Sequence, residues 1–320
     1  MTSEPPASSV EQATGALPDP VTDRVTDPVT DPVIDRVIEG RPRDIGGFPV
    51  RRALPAIGHR SVGPFIFFDH MGPVDFAPGH GMDVRPHPHI GLATITYLLA
   101  GEIVHRDSLG SEQAIRPGDV NWMVAGRGVA HSERTSPEVR ARGGRAHGLQ
   151  TWVAVPRDRE DMAPFFEHHP QHTLPLLELP GVTLRVLAGT AYGQTAPTGV
   201  LSPTLYVHAT MAAGATLAVD DSHPERAAYL VDGEVECDGR TFGAASLLVL
   251  RAGASVALLA RGAANVMLIG GAPLDGPRHI WWNFVASTLD RIEAAKAAWR
   301  ADQLGTVRGD EDERIPLPTR

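Results

Sequence analysis

His87-Pro88-His89 and His131-Ser132-Glu133 are the segments of this 320-residue chain whose residue types and spacing point to chemistry. Imidazole nitrogens and carboxylate oxygens ligate first-row metal ions, and in extended backbone residues i and i+2 project from the same face. Each triplet therefore presents two donor groups in one direction. Two such strands side by side would bring three imidazoles and one carboxylate to a single point. An N3O set of this kind suits borderline first-row ions and leaves two positions of an octahedron for water, dioxygen or substrate. One His-x-His alone reads as ordinary surface histidine, whereas two i,i+2 pairs at strand ends read as a mononuclear metal site. Glu133, the only carboxylate of the set, is also the available general base.

The surrounding sequence supplies strands to carry these groups. Between Ile45 and Val155 short apolar runs recur between Gly and Pro, among them Phe65–Phe68, Ala93–Leu98, Val120–Met123 and Leu149–Val153. The rhythm resumes at Val182–Leu187, Thr204–Met211, Ala227–Val231, Ser246–Leu250 and Val256–Leu259, after a polar, proline-punctuated stretch from Pro156 to Pro180 expected to be a linker. With 33 glycines, 28 prolines and 6% aromatics, the composition favours many short strands, so the expected fold is all-β with two barrels. Tyr97-Leu-Leu-Ala-Gly-Glu-Ile-Val104 is echoed by Tyr229-Leu-Val-Asp-Gly-Glu-Val-Glu236, an offset of 229 − 97 = 132, which suggests a duplicated unit. At that offset the four candidate ligands become Val219, Asp221, Ala263 and Asn265, so the second barrel is expected to hold no metal. One helix closes the body, with Ser287 as cap, Leu289, Ile292 and Trp299 on one stripe, and Gly305 beyond its end.

Weaker candidates are His105-Arg-Asp107, an i,i+2 pair able to orient a ligating imidazole, and His223-x-Glu225, read as polar surface. His168, His169 and His172 read as solvated. Trp122, Met123, Phe65 and Phe67 would line an aromatic pocket or, as apolar strand residues commonly do, the core.

The net charge of −9 resides mainly in the ends: residues 1–40 carry eight acids and two arginines, and residues 301–320 five acids and three arginines, leaving −9 + 6 + 2 = −1 for the body. No basic face is available for nucleic acid. The four-residue repeat from Asp19 to Ile38, with its prolines, reads as a disordered arm, and Asp310–Glu313 as a solvated terminus. A single cysteine, Cys237, no basic-then-apolar leader and no bilayer-length apolar run fit a cytoplasmic protein that acts as a monomer away from membranes. The expected divisions are a disordered arm at 1–40, a metal-binding barrel at 41–165, a second barrel at 166–286, and a helix with an acidic tail at 287–320.

Several segments resemble the pirin family of the cupin superfamily: Phe65-Ile-Phe-Phe-Asp-His70, Arg85-Pro-His-Pro-His-Ile-Gly91, His105-Arg-Asp-Ser-Leu-Gly110, Pro117-Gly-Asp-Val-Asn-Trp-Met123, Gly126-Arg-Gly-Val-Ala-His-Ser-Glu133 and Arg278-His-Ile-Trp-Trp-Asn-Phe-Val285. The resemblance spans about residues 41 to 304. It implies a bicupin of jelly-roll barrels with an iron site, Fe(II) foremost and Mn, Co, Ni, Cu or Zn as alternatives, held by His87, His89, His131 and Glu133. It also implies either a quercetin 2,3-dioxygenase-type enzyme, acting on a small aromatic substrate with O2, or a redox-responsive module that docks on a protein partner. A substrate-sized cavity opening on the metal would favour the enzyme, and a closed metal beneath an exposed apolar patch the module.

Overall fold

The computed structural model describes residues 32–45 and 48–319. Two barrels are present, each a long sheet facing a four-stranded one. In the first barrel the long sheet runs, in spatial order, Phe165–His169, Val120–Val124, Leu92–Ala100, Gly144–Ala154, Phe65–Phe76, Pro49–Leu54 and Arg41–Asp44. The short sheet runs Asp83–His89, Val129–Arg134, Ile103–Asp107 and Glu112–Ile115. The second barrel repeats the plan, with Ile34–Glu39, Ser246–Leu250, Glu225–Asp232, Ala264–Gly271, Thr204–Met211, Val182–Ala191 and Leu176–Leu179 in its long sheet. All these ladders are antiparallel, as the alternating strands of the sequence require.

Strand alternation explains where each side chain goes. On Leu92–Ala100, Ala93, Ile95 and Tyr97 enter a core shared by the two long sheets, where Phe65 meets Tyr206 and Phe68 meets Tyr229 at ring distances of 5.3 and 4.5 Å. Thr94, Thr96 and Leu98 alternate with them and turn into the first barrel. Trp122 and Phe65 belong to the shared core, while Met123 packs in a small cluster with Val129. The second barrel is filled by one apolar cluster that contains Val219, the residue standing at the place of His87.

The barrels exchange strands. Ile34–Glu39 pairs with Ser246–Leu250 of the second barrel, and Phe165–His169 pairs with Val120–Val124 of the first. Two expectations change accordingly. The arm expected over 1–40 lies outside the described residues up to position 31, but its end is a strand, because prolines stop at Pro32 and Ile34 and Ile38 then find buried places. The stretch 156–180 is not mere linker: Phe165–His169 and Leu176–Leu179 are both edge strands, a position that tolerates neighbouring prolines.

Among the described residues two α-helices are formed. Pro137–Arg142 is a short one capped by Ser136, and Leu289–Arg300 is the expected closing helix, with Thr288 rather than Ser287 at the cap position. Ser287 instead donates its N–H and its hydroxyl to the Glu160 carboxylate, each at 2.7 Å. The buried stripe is Ile292, Ala295 and Trp299, while Leu289 is exposed. Among the described residues no helix is long and apolar enough to cross a membrane. The acidic end is not free either: Asp310 and Glu313 bind Arg134, since a buried arginine stem beside the barrel leaves its charge in need of partners.

Candidate metal centre

Three adjacent strands of the short sheet build the centre. In their register His87 stands opposite His131, which stands opposite Asp107, and Glu133 stands opposite His105. All of these point into the barrel, and all are buried. The ligand atoms of His87, His89 and His131 lie within 4.8 Å of one another, and among the described residues this is the only group of three or more His, Cys, Asp or Glu so placed.

Each imidazole is fixed through Nδ1. His87 Nδ1–H donates to the Arg85 carbonyl (2.9 Å) and His89 Nδ1–H to the Asn283 carbonyl (3.1 Å). His131 Nδ1 lies 3.4 Å from His105 Nδ1, and His105 Nε2 lies 3.1 Å from Asp107 Oδ2. The carboxylate accepts, so His105 carries its proton on Nε2, accepts on Nδ1 from His131, and leaves the His131 Nε2 lone pair free. Asp107 is itself held by the amides of Leu109 and Ser111, each 2.9 Å from Oδ1. Burial would raise it, but the hydrogen bonds from His105 and Ser111 outweigh that and keep the carboxylate below its ordinary range.

His131 Nε2 is a buried polar atom without a protein partner. Such an atom is costly unless something binds it, and a metal ion is what an N-donor cluster can bind. Burial lowers His87 to about 4 and holds His89 and His131 well below the ordinary histidine range. The three lone pairs are therefore available at neutral pH. Burial raises Glu133, against the influence of His105 and a hydrogen bond from Thr96 Oγ1 to Oε1 at 3.2 Å.

The centre opens into a cavity of about 370 Å³, also lined by Glu133, Arg52, Asp69, Phe67, Trp152 and Trp282. Phe67 and Trp152 are stacked at 4.1 Å, and the edge of Trp152 meets His89 at 5.3 Å. Arg52 lies 4.3 Å over the Phe67 ring and is paired with both oxygens of Asp69, at 2.8 and 2.7 Å.

Residues 47–153 match the family model described as Pirin, and residues 206–305 match the Pirin C-terminal cupin domain. A pirin-like protein of Caulobacter vibrioides is 49% identical over 283 residues, 88% of this chain and 98% of that protein. The chain belongs to the pirin family. Among solved structures, a quercetin 2,3-dioxygenase from Acinetobacter baumannii matches with a TM-score of 0.83 and 34% identity, over 89% of this chain and 95% of that one. A bacterial pirin from Escherichia coli in complex with nickel(II) shares the fold, with a TM-score of 0.59 and 18% identity over 75% of this chain and 99% of that one. The two-barrel plan is thus the bicupin arrangement of pirins.

Of the lesser candidates, the His105–Asp107 pair adjoins the pirin centre as its spacing suggested. His223 is not polar surface: it is buried, with Nε2 2.8 Å from the Thr190 carbonyl, and Glu225 accepts from the Gly63 amide at 2.6 Å. Nor is His168 solvated: it is half-buried and bound to Asn121 at 2.7 Å. Trp282 and Asn283 entered the sequence analysis only as part of the family-like segment Arg278–Val285, with no site role; they arrive on the hairpin His279–Ala286 from beyond the second barrel. Their signal was faint, since Asn283 acts through its main-chain carbonyl. The hairpin approaches closely because Gly91, at φ +64°, has no Cβ; one built there would lie 2.0 Å from the Val285 carbonyl oxygen.

Proposed function

We propose that this pirin is a metal-dependent dioxygenase of the quercetin 2,3-dioxygenase type, cleaving flavonols or related enolisable aromatics with O2. His87, His89, His131 and Glu133 would hold one first-row ion, Fe(II) foremost. The observation that carries the reading is the coincidence of a three-histidine cluster with an aromatic-walled cavity of substrate size. The cavity that opens onto these histidines favours the enzyme over the protein-docking alternative. The structural likeness to the Acinetobacter enzyme supports the same choice.

A bound ion would supply Lewis acidity and a place where dioxygen and the enolised substrate meet. The remaining work falls to side chains. Phe67 and Trp152 line the cavity and offer aromatic contact to a substrate ring beside the histidines. Glu133, whose carboxylate lines the cavity beside the histidines, accepts the 3-hydroxyl proton at its carboxylate oxygen. The Thr96 hydroxyl keeps that carboxylate in place. The enclosing barrel excludes bulk water from the reactive ring.

The test is anaerobic reconstitution with Fe(II) followed by oxygen uptake across a panel of flavonols. Turnover should be measurable in the wild type and fall by about 10²–10⁴-fold in Glu133→Gln, the range for removing a general base. Absence of uptake across the panel would reject the enzyme in favour of the docking module. Equal rates in the two proteins would remove Glu133 from the role of base.

A further inference from the structure

The C-terminal tail is part of the cavity wall. Arg134, the residue after Glu133, forms two hydrogen bonds to Asp310 at 2.6 and 2.8 Å and a third to Glu313 at 2.9 Å. Beyond this latch the Ile315 amide donates to the Pro86 carbonyl at 2.8 Å, one residue before His87. The Ile315 carbonyl in turn accepts from Trp299 Nε1 of the closing helix at 3.0 Å. These bonds seat Ile315 on the strand that carries two of the histidines, and Ile315 is one of the residues that line the metal cavity.

Further contacts flank this anchor: Arg314 donates to the Trp299 carbonyl at 3.1 Å and lies over its ring, and Leu317 packs against the apolar cluster of the closing helix. Between the tail and the barrel lies a hollow of about 370 Å³, bounded by Pro86, Ala130 and Trp299 on one side and by Asp310 to Arg314 on the other. Ile315 is half-buried, and its main chain, not its side chain, makes the anchoring bonds. A change of side chain at this position therefore alters the cavity without undoing either the barrel or the tail. Of the other apolar walls, Phe67, Met71, Val84 and Trp152 belong to barrel strands and Trp282 to the hairpin, while Ile45, Phe48 and Met82 sit in connecting segments but pack in one apolar cluster, so a size change at any of them disturbs packed neighbours.

We infer that Ile315 sets the size of molecule that reaches the metal face of the cavity, with the tail as the adjustable wall. Naming that molecule as a flavonol rests on the proposed dioxygenase function; the role of the wall does not. A bulkier residue narrows the route to the histidines, and a smaller one widens it, for a chelator as much as for a substrate.

The experiment uses full-length, nickel-loaded wild type, Ile315→Ala and Ile315→Trp. Calorimetry measures binding of quercetin and of maltol, which carries the same 3-hydroxy-4-pyranone unit on a single ring. In parallel, the rate at which EDTA removes nickel is followed. The ratio of quercetin to maltol affinity should fall by about 10-fold or more from the alanine to the tryptophan variant, the discrimination a steric change in a pocket gives. Maltol binding should stay nearly constant, and nickel removal should be faster in Ile315→Ala and slower in Ile315→Trp. Equal affinity ratios and equal removal rates in the two variants would overturn the inference. So would a loss of maltol binding in step with quercetin, which marks general disruption. If no variant binds quercetin but removal rates still follow the size of residue 315, the wall stands and the flavonol reading fails.

Discussion

Replacing Asp107 by asparagine should invert the proton arrangement of the centre from two residues away. The Asp107 carboxylate accepts two backbone amides on one oxygen, at 2.9 Å each, and faces His105 Nε2 with the other at 3.1 Å. An asparagine keeps the two amide bonds by leaving its oxygen there, which turns its NH2 group toward His105. His105 must then accept on Nε2 and carry its proton on Nδ1. That proton faces His131 Nδ1 at 3.4 Å, so His131 must move its own proton to Nε2, the atom that faces the cluster. One of three ligand lone pairs is thereby lost unless a costly tautomer is forced back. Removing such an orienting partner costs about 10–100-fold in metal affinity, or about 1.4–2.7 kcal/mol. Competition against a chromophoric chelator with nickel or zinc measures the constant, and the melting temperature of the metal-free variant checks that the barrel is intact. Wild-type affinity in a folded Asp107→Asn protein would refute the relay.

Three further outcomes follow from the same structure. The folded protein keeps His87 neutral down to about pH 4, whereas an unfolded histidine takes a proton near 6.5, so the unfolded state binds more protons between those values. Metal-free protein should therefore be at full stability above pH 6.5 and lose stability as pH falls toward 4, a trend that flat denaturation midpoints over that window would contradict. Gly91→Ala forces a Cβ onto the Val285 carbonyl oxygen, while Gly110→Ala, also at positive φ (+96°), meets nothing within 4 Å. The first should lower metal affinity, by moving Asn283 away from His89, as well as melting temperature; the second should lower melting temperature alone, as calorimetry and chelator competition will show. Deleting residues 1–39 removes Ile34 from the core of the second barrel and Ile38 from the shared core, a loss of about 3–6 kcal/mol by apolar transfer. Thermal denaturation should place it about 5–10 °C below a protein lacking only residues 1–31, and equal melting would show that the strand contributes nothing.

The histidine cluster was legible because its signal is local. Residues i and i+2 share a face wherever the backbone is extended, and glycine and proline marked where each strand ends. The same alternation separated Tyr97 and Ile95, which join the shared core, from Thr96, which serves Glu133. What escaped was set by partners distant in sequence. Ser287 is a sound helix cap by local chemistry, yet Glu160 holds its amide and hydroxyl in the fold. Ile34–Glu39 follows a proline-rich repeat, and only the open edge of Ser246–Leu250 makes it a strand. The acidic tail carries the composition of a solvated end, but Arg134 gives two of its carboxylates a partner. Asn283 contributes a main-chain carbonyl, which no side-chain pattern encodes.

Elemental analysis of purified protein reconstituted with Fe(II) tests the metal centre most directly, with His89→Ala and His131→Ala measured beside the wild type. One ion per wild-type chain is expected, with most of it lost in either variant, because each removes a neutral, buried donor from a cluster whose ligand atoms lie within 4.8 Å. Two ions per wild-type chain, or full retention in both variants, would contradict the assignment of this site.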